Sequence, residues 1–248
     1  MKFLFMDETY MARTELGSAT VLTGLLVPAA THAEFRKGYH ELLSQVIPSA
    51  SDVIAPVLAV HAASLFPELG DNDVPRFAFM DGIVDLCLRL NFRIYRVGYL
   101  NTDSLRERFT TDRDVLGLCF LGFLWSLDPE LKEGPVWPVM ESDHSPEQDL
   151  RFAGQVRGIE HHAHRLPTGA LSVDNSNLGE LLYTTKHSSL GSMVDCVAYL
   201  RQARYLRSQG RQLTMFKQRL ADIGDRLEPV VVQDQVIDMK MIQSAEEG

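Results

Sequence analysis

Segments with strand and helix periodicity alternate along this chain from about residue 55 onward, after what reads as an opening hairpin. That alternation restricts the fold more than any other feature. It predicts an α/β domain with a mixed central sheet and helices on both faces. Residues 2–7 and 20–27 read as the two hairpin strands, joined through a polar turn region at 11–17. Further strands are expected at 57–61, 92–99, 134–143 and 178–185. Helices are expected at 33–46, 75–91, from Asp112 or Asp114 to Leu127, at 145–165, from Ser188 or Ser189 to Ser208, and at 212–226. No linker divides the pattern. One domain is therefore expected over residues 1–232, with 233–248 a mobile tail.

The totals narrow the function classes. The chain has 248 residues and a formal charge of −9, which argues against a strongly basic nucleic-acid coat protein but not against a local groove. The opening MKFLFMDETY is too short and too soon acidic for a signal peptide. The longest apolar stretch, Val115 to Leu127, is shorter than the roughly 18 residues a spanning helix needs. It predicts a buried or interface helix, with a homodimer as one way to cover it. Cys87, Cys119 and Cys196 are far apart in apolar runs, as reduced core thiols are, so a cytoplasmic protein is expected. There is no P-loop, dinucleotide fingerprint or G-x-S-x-G elbow, which weakens NTPase, dehydrogenase and esterase readings.

The acids carry the chemistry. The strand FLFM runs into Asp7 and Glu8, and the strand GPVWPVM runs into Glu141 and Asp143. Alternate residues of a strand share a face, so Asp7 sides with Phe3 and Phe5, Glu8 points the other way, and Glu141 and Asp143 side with Val139. In SLGSMVDCVAYL, Asp195 interrupts a helix that is apolar on nearly every side. A carboxylate buried there needs a cationic partner or a metal. Each acid also has a plain reading: a cap or turn residue for Asp143, an arginine partner for Asp195, solvent exposure for Glu8.

The segments FLFMDE, VHAASLF, VMESD and GSMVDCVAY together resemble proteins of the domain of unknown function 3800 family. The resemblance spans roughly residues 2–205 and implies a ribonuclease-H-like fold. It carries over Asp7, Glu8, His61, Asp143 and Asp195 as catalytic residues. Thr9 and Tyr10 stand where the family has Ser-Gly, Ala59 where an acid is frequent, and Ser192 where Gln is frequent. The implied chemistry is phosphodiester hydrolysis with Mg²⁺ or Mn²⁺, in which two ions about 3.5–4 Å apart activate water and stabilise the leaving oxygen. Asp7, Asp143 and Asp195 would hold the metal, with Glu141 the nearest substitute. His61 would be a proton shuttle or ligand, or simply a hydrogen-bonded histidine after a strand.

Two further patterns invite a functional reading. His161 and His164 lie one helical turn apart, yet no Cys or acid in zinc-motif spacing accompanies them. Arg201, Arg204, Arg207 and Arg211 recur at nearly helical spacing beyond Asp195, and suit either phosphate contacts or a solvated face. Arg201, Arg204 and Arg211 are the candidate nucleic-acid contacts. The expectation is a metal-dependent nuclease or related phosphoryl-transfer enzyme. The alternative is a non-catalytic domain of the same fold that binds nucleic acid or another protein.

Overall fold

The computed structural model describes residues 1–14, 17–46, 73–100, 105, 112–142, 149, 152–154, 156, 175–184 and 188–238. Strand β1 (Lys2–Thr14) pairs antiparallel with β2 (Gly17–Pro28), and β2 pairs antiparallel with β3 (Arg93–Leu100). On the other side of β1 lies β4 (Val136–Glu141), parallel to it, and then β5 (Leu182–Thr184), parallel to β4. The sixth strand, β6 (Val231–Ile237), lies parallel to β3 at the far edge. The order is β5-β4-β1-β2-β3-β6, and β2 alone runs against the rest. A mixed sheet in this order, flanked by helices on both faces, is a ribonuclease-H-like α/β fold.

Strand alternation decides which helix each face receives. Leu4 and Met6 of β1, with Leu22 and Leu26 of β2, point to helix α3 (Asp112–Glu133), where Leu116, Phe120, Phe123 and Leu124 cover them. Phe5 and Leu25 point the other way, into a layer formed by α1 (His32–Val46), α2 (Asp73–Arg89), α4 (Ser189–Ser208) and α5 (Met215–Asp225). Gly24 lets β2 sit close under α3, since a Cβ there would stand 2.9 Å from both Leu4 Cδ1 and Phe123 Cε2.

Two boundaries differ from expectation. Helix α3 does not stop at Leu127 but runs through Pro129 to Glu133. An interior proline costs about 3 kcal/mol. Leu127 and Leu131 on either side are fully buried, at about 1.5–3 kcal/mol each, and Glu130 binds Lys2 and Arg93, so the helix is worth continuing. Most of the apolar stretch inside it packs under the chain's own sheet, while Trp125 is left exposed. The tail expected from 233 instead begins inside β6, whose backbone pairs with β3 through Tyr99↔Ile237. All three cysteines are buried and free. Among the described residues no helix is long and apolar enough to cross a membrane.

Candidate active site

The parallel pairing of β1 with β4 runs from Lys2↔Val136 to Met6↔Met140. Asp7 and Glu141 are the next residue on each strand. Met6 and Met140 both point to α3, so the alternation turns Asp7 and Glu141 together toward the layer that contains α4. Two carboxylates thus stand on neighbouring strands, whose spacing is about 4.8 Å, on one face, and both are partly exposed. Asp7 is not a strand tip, however. The hairpin carries β1 on to Thr14, with Asp7 opposite Thr23, and what ends at Asp7 is the pairing with β4.

Helix α4 supplies the third acid. Ser188 caps it by accepting from the Gly191 N–H at 3.3 Å, which fixes its first turn. From Leu190 to Ala198 every residue is buried except Asp195, which is half-buried and so opens to the outside of the core. Cys196 locates it relative to β1. Burial pushes this thiol up first, and the negative charges of Asp195 and Asp7 add to the shift. One thiol therefore feels the charge of a carboxylate on its own helix and of a carboxylate on β1, on the side where α4 lies across β1.

Two hydroxyls complete this region. Thr23 is fully buried opposite Asp7, and among the described residues its Oγ1 has no hydrogen-bond partner. Tyr39, on α1, is 5% exposed; its phenol approaches Ser192 without reaching hydrogen-bond geometry. Burial pushes that phenol up, and Asp195 is among the charges that raise it further. At the end of β4, Ser142 Oγ donates to Asp149 Oδ2 at 2.6 Å, bringing another acid beside the strand end. Thr23, Tyr39 and Asp149 were not singled out in the sequence. Thr23 alone left a trace there, as a polar residue at the centre of the apolar strand TVLTGLLV.

The remaining sequence candidates divide clearly. Glu8 lies on the opposite face of β1, toward α3, and does not join Asp7. His61, Asp143, His161 and His164 lie outside the described residues. The arginine reading needs correction. Arg201 is fully buried, with Nε 2.8 Å from Asp234 Oδ2 and Nη1 2.7 Å from Glu228 Oε1, so no phosphate can reach it. Arg204 pairs with Asp225 at 3.0 Å and Glu228 at 2.8 Å, and Arg207 with Asp222 at 2.7 Å. Arg201, Arg204 and Arg207 hold α4 to α5, the turn after it and β6, and the buried Arg201 cannot serve as a nucleic-acid contact. Arg211 lies half-buried in the segment between α4 and α5.

Carboxylate oxygens are the donor type that Mg²⁺ and Mn²⁺ take, and these ions keep several waters, so two adjacent acids and a facing third are chemically suited to them. Among the described residues, no three His, Cys, Asp or Glu side chains stand together as a ligand group for a bare ion. In comparisons with protein-family models, curated proteins and solved structures, nothing matches this chain.

Proposed function

We propose that this chain is a divalent-metal-dependent nuclease or related phosphoryl-transfer enzyme, with Mg²⁺ or Mn²⁺ held at Asp7 and Glu141 and faced by Asp195. One observation carries the reading: Asp7 and Glu141 stand side by side just past the parallel β1–β4 pairing, on the face where α4, the helix of Asp195, lies across β1. Acids gathered in this way repel one another and gain from a cation between them. Asp143, two residues past Glu141, remains the further acid expected from the sequence, and His61 the expected proton carrier.

The roles follow from charge. Asp7 and Glu141 offer oxygens to the ion, and Asp195 accepts hydrogen bonds from its waters. The bound cation supplies a water acidified toward neutrality and neutralises charge on a phosphoryl group. Without it, the three carboxylates repel a nucleic-acid backbone, so the chain's own site makes substrate binding depend on metal. Nucleic acid is the proposed partner. A cytoplasmic setting accords with three buried, free thiols.

The test is calorimetric titration of the purified chain with Mn²⁺, together with hydrolysis assays on labelled RNA and DNA. Mn²⁺ binding and metal-dependent cleavage are expected, both lost in Asp7→Asn and Glu141→Gln. No Mn²⁺ binding and no cleavage would sink the reading. Nucleic-acid binding without cleavage would favour the non-catalytic alternative.

A further inference from the structure

Thr23 lies at the centre of β2, cross-strand from Asp7, with its side chain on the same face. It is completely buried, and among the described residues its hydroxyl oxygen has no hydrogen-bond partner. A buried hydroxyl without a partner destabilises a fold, and Val would occupy the same volume in a strand without that defect. On the α1 side, the Tyr39 hydroxyl is in the same condition beside Ser192 and Asp195. Two unsatisfied hydroxyls therefore flank two carboxylates, one beside Asp7 and one beside Asp195. A core that only had to pack would carry Val and Phe at these positions.

We infer that Thr23 is a positioning residue of the carboxylate site, its hydroxyl accepting a hydrogen bond from a water carried by the cation that Asp7 holds. The inference rests on the metal reading above. Waters bound to a divalent cation are donors on every outward side, and the ion's carboxylate ligands cannot satisfy them all. A hydroxyl oxygen supplies an acceptor without adding a fourth negative charge. Thr23 also fixes its own rotamer, because a β-branched side chain is stiff at χ1.

The experiment compares wild type with Thr23→Val and Thr23→Ser, by melting of the metal-free protein and by calorimetric titration with Mn²⁺. Thr23→Val is expected to melt at the same temperature as wild type or higher. It is expected to bind Mn²⁺ about tenfold or more weakly, the scale of losing a group that hydrogen-bonds a metal's own ligands. Thr23→Ser should keep most of the affinity. Unchanged Mn²⁺ affinity in Thr23→Val would overturn the inference while leaving the metal reading standing. That outcome also covers a hydroxyl that merely holds a buried water. A wild-type protein that binds no Mn²⁺ would overturn both. If Thr23→Val does not fold, Thr23→Ala removes the same hydroxyl without adding a methyl, and the same comparison decides.

Discussion

Asp234 is the residue on which most of the buried charge depends. Its carboxylate receives Arg96 Nη1 at 2.8 Å and Arg201 Nε at 2.8 Å, and both arginines are 1% exposed at the side chain. Burial acts to raise its carboxyl, but the two guanidinium groups overcome burial and hold it below its ordinary 3.8. A depressed folded pKa stabilises above the unfolded value of about 3.9, and that contribution is lost as pH falls through the folded pKa. Asp234→Asn should cost about 3–5 kcal/mol at pH 7, because it leaves two buried cations short of their anion. Denaturant melts of both proteins should keep that gap down to about pH 4 and show it narrowing below. A gap independent of pH would mean that Asp234 does not titrate in this pair. The arginine spacing was legible in the sequence, but its meaning was not. A helical stripe of arginines looks the same whether phosphate, water or another helix meets it, and the partners Asp222, Asp225, Glu228 and Asp234 lie on later elements. Asp7 and Asp195 were legible because an acid inside an apolar run violates the pattern around it. Tyr39 was not, since a tyrosine in an amphipathic helix violates nothing.

At the scale of elements, α4 is the part that must be placed correctly, because it carries Asp195. Its cap at Ser188 fixes one end, and its contact with α5 fixes the other. That contact is close: a Cβ at Gly224 would stand 2.8 Å from the Leu200 carbonyl oxygen. Gly224→Ala should therefore push α5 away and destabilise by about 1–3 kcal/mol, the range for overpacking, measured by urea melts. Gly→Ala in an open helix would instead stabilise by about 1 kcal/mol, so the sign alone tests the contact. Helices α1, α2, α4 and α5 were readable to within a few residues from their apolar content and their caps. The elements misjudged are those held by something other than their own pattern. Strand β6 reads VVQDQVI, too polar at its centre to announce a strand, and it is fixed by pairing with β3 and by Asp234. The far half of β1, TYMART, pairs with β2 through Thr9, Tyr10 and Met11 and shifts register before Thr14, a hairpin pairing its own pattern does not announce.

For the whole molecule, topology does what sequence distance conceals. Putting β4 beside β1 and laying α4 across β1 brings Asp7 and Glu141 to the sheet face on which α4, with Asp195, packs. Strand β6 touches none of them, yet it closes the edge beyond β3 and anchors α4 through Arg201. A chain ending at Val230 keeps each of these acids and loses only what lies behind them. It would expose the backbone of β3 along the register from Ile94 to Tyr99, uncover the packing of Val236 and Ile237, and strip Arg96 and Arg201 of Asp234. The loss of the ion network alone is about 3–5 kcal/mol, against a total stability of about 5–15 kcal/mol for a domain. Edge pairing and apolar burial are lost in addition. The truncated chain should therefore show no cooperative thermal transition by circular dichroism, and no Mn²⁺ binding, although its acids are intact. A cooperative melt within a few degrees of the full chain would mean that β6 is an appendage and that α4 is placed by its apolar face alone.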